Sequence, residues 1–505
     1  MVSGNFLFSY ILTRLRIMIK EILKKSRYFY MDKAYLSQTF CLSKFSLKNH
    51  ALLDRHISLN HSHLYYDSDT KILSYDSRDY TIRLIGYILD IRDEEMQEND
   101  ILTNLLRKYE IDRNHFEKEL SFMNGRFIII FDSEADTAVY SDATVMKPIF
   151  YWNNEILGSH EILIKEILND EYEMNLNERN FRMNGFLDFT TTDNIFKFNP
   201  NLYFSFRGNS FKRFYPDKNI EIKAFDEIFN NTIQYYETQV KWLDNHYEKI
   251  YQSLTGGFDS KLSLAVNKPL LDKTEYFTYM LHFDKNQAYE DMNKFRKIYY
   301  KDKYIVERLV YNFNLNHRFF YFNDYKPPQE IFEKLSTHLS SKHSYPLSYL
   351  TDKEFEDDSI HLKSTLFELV KLNYSKSANK EQIVEAIKHW APKEIRDDSE
   401  SLLKMYEGYY ERNHLNEAIS KNINLLTLLY WEFRMGNWHS NITQETDRTQ
   451  ETFVFINNRF MLDQFMSLSN EDKKSKKYLV EVIDYFWPAL NYFIPNSFNT
   501  LDDKR

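Results

Sequence analysis

The stretch Leu254-Thr255-Gly256-Gly257-Phe258-Asp259-Ser260-Lys261 holds the only adjacent glycine pair in a chain with just ten glycines among 505 residues. It follows an apolar-leaning run, Lys249 to Leu254, and precedes Leu262, Leu264 and Ala265, so the order reads strand, tight turn, helix. Two glycines open backbone conformations closed to residues with a Cβ, so that successive N–H groups can converge on one anion. Thr255 and Ser260 add hydroxyl donors, and the following helix adds its N-terminal dipole. A carboxylate such as Asp259 beside a phosphate cradle is repulsive unless a divalent cation lies between, and Mg²⁺ is commonly held by one or two carboxylates plus phosphates. The plainer reading is a turn whose Asp259 and Ser260 merely cap the helix. A Walker A loop is excluded, because no glycine stands before a lysine at the required spacing. The dinucleotide fingerprint fails too, since no two glycines lie two apart.

The string resembles the pyrophosphate-binding loop Ser-Gly-Gly-x-Asp-Ser of the asparagine synthetase family, whose members include beta-lactam synthetase and lasso-peptide cyclases; Thr255 keeps the hydroxyl of the usual serine. The resemblance implies a PP-loop synthetase domain, of the adenine nucleotide alpha hydrolase type, with a central parallel sheet and many helices. It further implies ATP and Mg²⁺, with Leu254, Thr255, Gly256, Gly257, Asp259 and Ser260 at the nucleotide. The implied reaction has two halves: a carboxylate attacks the α-phosphate of ATP to give an acyl-adenylate, then an amine displaces AMP to form an amide.

Ile360 to Leu369 resembles the family's second nucleotide element, Ser-Gly-x-Gly-Ala-Asp-Glu, and ungapped counting puts Glu368 on the aspartate of the second metal site. Asp259 and Glu368 are then the expected metal ligands. Ser364, expected at the nucleotide, and Leu366 replace both glycines, and Thr365 replaces a glutamate, so the backbone is expected to approach the nucleotide differently. Trp431-Glu432-Phe433-Arg434 and Asn457 to Asp463 resemble the family's arginine-bearing helix and its Pro-Phe-Leu-Asp segment. A lysine cluster, Lys473, Lys474, Lys476 and Lys477, follows, and Lys477 aligns with the lysine that stabilises charge on the α-phosphate. The expected catalytic set is therefore Asp259, Glu368 and Lys477.

Met123 to Asp132 and Tyr140 to Tyr151 resemble the family's glutaminase domain, a β-rich Ntn-type fold, with two paired strands joined by the polar turn Ser133 to Asp136. Such a glutaminase needs an N-terminal cysteine whose thiolate attacks the amide. Residue 2 is Val2, a start at Met31 would give Asp32, and the sole cysteine, Cys41, falls inside an expected strand. The domain is therefore read as degenerate, and the amine as free ammonia or an amine on a second substrate.

Length predicts two domains, divided near Phe214 to Asp217: a glutaminase-like domain over 31–215 and an ATP-binding domain over 216–505. A net charge of -9 argues against a nucleic-acid partner. In the separate extension, 1–30, the apolar run Phe6 to Leu12 is interrupted by Arg14, Arg16 and Lys20, too soon for a membrane span. Weak contact with a membrane surface through this extension, and a cytoplasmic location, are the expectations. The expected partners are a small-molecule or peptide carboxylate and an amine. Two other readings stay open: a catalytically degenerate nucleotide-binding or scaffold protein in a biosynthetic pathway, and an asparagine synthase using free ammonia.

Overall fold

The structure is a computed structural model that describes residues 36–48, 52–183, 185–283, 288–338, 345–371, 380–493 and 495–496. The extension 1–30 lies outside the described residues.

The first half contains β1 (Phe40–Ser43), β2 (Arg55–Ser58), β3 (His63–Tyr66), β4 (Ile72–Asp76), β5 (Thr81–Asp90), β6 (Met123–Asp132) and β7 (Thr137–Ser141). It continues with β8 (Phe150–Trp152), β9 (Ile156–Gly158), β10 (Ile195–Lys197), β11 (Leu202–Ser205) and β12 (Ser210–Arg213). These pair into two six-stranded antiparallel sheets, β10-β8-β9-β1-β3-β2 and β12-β11-β7-β6-β5-β4. The alternation of β6 explains how they stack. Ile128 and Ile130 point into a core shared with Phe40, Leu42 and Leu64 of the other sheet. Phe127, Ile129 and Phe131 point the opposite way, into a core with α1 (Glu98–Ile111) and α2 (Arg113–Leu120). With both faces covered, all ten residues of β6 are buried. The other sheet is covered in turn by α3 (Glu161–Tyr172), whose Leu163, Ile164 and Ile167 pack on Cys41, Phe150 and Ile156. The result is the Ntn-type sandwich of two sheets between helices. Cys41 lies under α3, fully buried, and burial pushes its thiol up, so it is no nucleophile for a glutaminase.

The second half is the α/β domain. After α4 (Phe225–His246), β13 (Ile250–Ser253), β14 (Thr274–Met280), β15 (His317–Tyr321), β16 (Ile360–Leu362) and β17 (Glu451–Phe453) form a parallel sheet in the order β15-β14-β13-β16-β17. Strand order reverses between β13 and β16, and open sheets of this kind bind ligands where the carboxyl ends of such a pair diverge. The bend after Leu254 leaves the end of β13 and leads into α5 (Phe258–Val266); the second element leaves the end of β16. Alongside lie α6 (Lys294–Phe313), α7 (Arg459–Met466) and α8 (Lys477–Phe486). A helical run through Leu425–Leu429 widens over Tyr430–His439 into π-type turns and ends at Ser440–Gln444. No helix among the described residues is long and apolar enough to cross a membrane.

The two halves are joined by buried polar bonds. Arg126 bonds Glu451 and lies 2.7 Å from Asp447, and Arg459 donates to Ser141 O at 3.0 Å, to Asp142 O at 3.1 Å and to Pro200 O. Arg213, ending β12, meets Glu432 in the π-type stretch at 2.5 Å. The segments that resemble family motifs at 431–434 and 457–463 thus stitch the halves together through Glu432, Asn457 and Arg459.

Candidate active site

Leu254 closes β13. Its N–H donates to Phe277 O at 2.8 Å, and its carbonyl accepts from Thr278 Oγ1 at 2.6 Å. With its side chain fully buried as well, Leu254, expected at the nucleotide, has its N–H and carbonyl engaged within the sheet and anchors the bend. Thr278 gives its one hydroxyl proton to Leu254, so at Oγ1 it accepts from His317 Nε2, 2.9 Å away, which fixes the His317 tautomer. Burial pushes His317 from 6.5 down to about 4. The unfolded chain therefore protonates this ring before the folded one does. Its contribution to stability is complete above pH 6.5 and is lost as pH falls through about 4. Thermal midpoints measured across that window are expected to fall toward acid, and His317→Gln is expected to flatten part of the slope.

Within the bend, Thr255 N–H donates to Ser260 Oγ at 3.1 Å, and Ser260 Oγ donates back to Thr255 O at 2.9 Å. Gly257 N–H donates to Thr255 Oγ1 at 3.2 Å, and Gly256 N–H donates to Asp302 Oδ1 at 2.9 Å. All three bend amides already have protein acceptors, whereas the sequence reading had them converging on an open point. The open donors belong to the first turn of α5, where no side chain caps the N-terminus. The glycines also serve differently from expectation, since neither has a left-handed φ. Gly256 is required for space: a Cβ there would lie 2.8 Å from Ile305 Cδ1 and 3.0 Å from Asp302 Oδ1. At Gly257 a Cβ would meet only Thr255 Oγ1, at 3.4 Å.

Asp302, buried on α6, also accepts from Asn496 Nδ2 at 2.6 Å, and burial pushes its carboxyl up. It is an internal anion seated on a bend amide. A phosphate binding that amide must displace it, so Asp302→Asn, which keeps an acceptor but drops the charge, is expected to tighten binding of ATP or pyrophosphate. Calorimetric titration checks this; weaker binding in the variant would make Asp302 a support for the bend instead of a competitor.

Asp259, in the first turn of α5, faces Glu368 in the short 3-10 turn Phe367–Val370. Burial first, and the Glu368 carboxylate second, push Asp259 up to about 7, and the two side chains are hydrogen-bonded. Lys371 Nζ lies 2.6 Å from both Asp259 oxygens. The Tyr430 hydroxyl bonds Glu368, which places the start of the π-type stretch at the site. Lys476 completes the cluster: burial and Lys371 pull its ammonium down while Asp259 opposes them. Lys477 is not brought here; its ammonium lies 4.0 Å from the centre of the Phe225 ring. The neighbouring Lys476 is the one that lies near Asp259 and Lys371. Lys476 has φ 57°, left-handed, and this turn at the head of α8 sends neighbouring lysines to opposite sides.

In the second element Leu366 has φ 76°, a left-handed backbone that a glycine adopts without strain and that costs a leucine about 1–2 kcal/mol. The Ser364 hydroxyl is buried with no hydrogen-bond partner among the described residues, and Thr365 Oγ1 lies 3.0 Å from His439 Nε2. As a metal site, the adjacent carboxylates of Asp259 and Glu368 match the one or two carboxylates that Mg²⁺ takes beside phosphate oxygens. Among the described residues no group of three or more His, Cys, Asp or Glu side chains is placed to hold a metal ion, so the remaining ligands would have to come from substrate and water.

The sequence matches no protein-family model and no curated protein. Solved structures that align with it include an NH3-dependent NAD synthetase from Campylobacter jejuni, 14% identical over 44% of this chain and 96% of that one, with a TM-score of 0.22. Another is the glutamine phosphoribosylpyrophosphate amidotransferase of B. subtilis, 8% identical over 72% of this chain and 75% of that one, also with a TM-score of 0.22. With superpositions this loose, the chemistry is read from this chain's own residues.

Proposed function

We propose that this chain is an ATP-dependent carbon–nitrogen ligase of the asparagine synthetase type, forming AMP and pyrophosphate, and that it works without hydrolysing glutamine. One observation carries the reading: Asp259, the neighbours Glu368 and Lys371, and Lys476, from three distant segments of the chain, meet at the divergence of β13 and β16. The uncapped first turn of α5 and the Ser260 and Thr255 hydroxyls would hold the polyphosphate tail. Asp259 and Glu368 would hold Mg²⁺, which when bound would neutralise phosphate charge.

In the first half-reaction a substrate carboxylate oxygen bonds to the α-phosphorus and pyrophosphate leaves. In the second, an amine nitrogen bonds to the acyl carbon, AMP leaves with the C–O bond electrons, and the proton shed by the nitrogen passes to water or to the departing phosphate. Lys476 and Lys371 are the fixed cations that would stabilise charge gathering on the phosphate oxygens, a task that pre-placed ammonium groups perform at low reorganisation cost. The amine would be free ammonia or part of a second substrate, since Cys41 is buried away from any solvent-facing pocket.

The lysine pair provides a sharp test. With ATP, Mg²⁺ and candidate carboxylates, aspartate included, Lys476→Ala is expected to cut AMP formation by on the order of 100-fold, while Lys477→Ala leaves it within about twofold. The reverse ranking would return the catalytic role to Lys477. A second reading is favoured by the filled bend amides: a nucleotide-binding or scaffold protein that has lost turnover. It predicts ATP binding with no AMP released by any carboxylate tried.

A further inference from the structure

Helix α6 carries six cationic and two anionic side chains in its 20 residues, on a chain whose net charge is -9. Its inner face holds Asp302, Val306 and Leu309, all buried. Counting round the helix from these, the opposite side falls at Tyr300, Tyr304 and Tyr311, which are 47%, 47% and 86% exposed. Arg296 and Lys303 flank this tyrosine row on one side, Lys297 and Arg308 on the other. Glu307 is the only carboxylate on the outer arc, and Lys303 lies 3.7 Å from it. Beyond the row, Tyr492, 88% exposed, follows on beside Phe493, which lies under the Arg308 guanidinium.

We propose that this outer face of α6 docks on an anionic phospholipid surface. Three observations select that occupant. The charge is of opposite sign to the headgroups, and each lysine or arginine near such a surface adds to attraction. Tyrosine, with an apolar ring and a polar tip, is the side chain that settles at the depth of the headgroups. The row is also a convex ridge. A single-stranded nucleic acid is held in a groove with ring faces turned outward for stacking, and a peptide is held in a cleft; a ridge meets a flat surface. This docking is independent of the ligase reading, because no residue named for catalysis lies on the outer face.

The test uses the full chain and sedimentation with vesicles of phosphatidylglycerol and phosphatidylcholine, against phosphatidylcholine alone. Binding is expected only to the anionic vesicles, weakening on the order of tenfold from low to high salt. The charge reversal Arg296→Glu, Lys297→Glu, Arg308→Glu is expected to abolish it, with the thermal midpoint and ATP binding unchanged. Because Cys41 is buried, Tyr304→Cys can be labelled with an environment-sensitive fluorophore, whose emission is expected to shift to the blue on anionic vesicles. Sedimentation unaffected by the charge reversal, or occurring without the blue shift, would overturn the assignment. So would failure to bind anionic vesicles, or tighter binding to a single-stranded oligonucleotide.

Discussion

Replacing Asp259 by alanine is expected to lower AMP and pyrophosphate formation by about two to three orders of magnitude, the scale seen when one preorganised electrostatic group is removed from a reacting centre. The reason lies in its setting. Asp259 is the carboxylate closest to the open donors of α5, it is hydrogen-bonded to Glu368, and both its oxygens face Lys371. Its removal takes away the carboxylate that Lys371 pairs with and deprives the site of one of its two candidate metal donors. The fold should survive, because Asp259 is only partly buried and its loss empties no core position. Stability is expected to change by no more than about 1 kcal/mol. A coupled pyrophosphate-release assay, with thermal melts as the folding control, checks both. Unchanged turnover in a folded Asp259→Ala protein would remove this residue from the chemistry.

The largest effect on stability is expected at Glu432. Its carboxylate receives Arg213 Nη1 at 2.5 Å, Asn199 Nδ2 at 2.9 Å, Asn201 Nδ2 at 3.0 Å and the Tyr409 hydroxyl at 3.2 Å. The Arg213 and Glu432 side chains are 2% and 0% exposed. A buried ion pair contributes little over apolar residues of the same shape, but removing one partner strands the other charge, at a cost of about 3–5 kcal/mol. Glu432→Ala should therefore lose that much in urea denaturation, and Glu432→Gln, which keeps two of the acceptor sites, should lose less. Because Arg213 ends the sandwich half and Glu432 belongs to the α/β half, the loss should uncouple the two halves. A loss below about 1 kcal/mol for Glu432→Ala would mean that the pair does not lock them.

How far the sequence predicted this structure differs from element to element, for physical reasons. The bend was legible because a glycine pair is rare in this chain and the residues around it switch from strand-like to helical patterning at that point. Strand β6 and the polar turn after it were legible from β-branched content, and the observed register joins Asp132 to Thr137 across that turn; the second strand, read over Tyr140 to Tyr151, instead splits into β7, which ends at Ser141, and β8, which starts at Phe150. The helical spacing of Phe225 to Tyr236 marks the first half of α4, but the helix runs on to His246, because Gln239, Val240, Trp242 and Leu243 continue its buried face.

The charges that complete the site were not legible. Asp302 and Lys371 belong to no motif, and only the parallel sheet brings them to the bend. Choosing between Lys476 and Lys477 depends on one backbone torsion, and a lysine carries no preference that would announce a left-handed φ. Leu366 shows the same limit from the other side. There the packing around a fully buried leucine holds a left-handed backbone that a glycine would adopt without strain.

The most direct measurement is a crystal structure with Mg²⁺ and a non-hydrolysable ATP analogue. The account predicts the polyphosphate at the first turn of α5, between Ser260 and Glu368, with the Asp302 carboxylate withdrawn from Gly256 N–H. A bend that keeps Asp302 on that amide, with the nucleotide bound elsewhere or not at all, would contradict it.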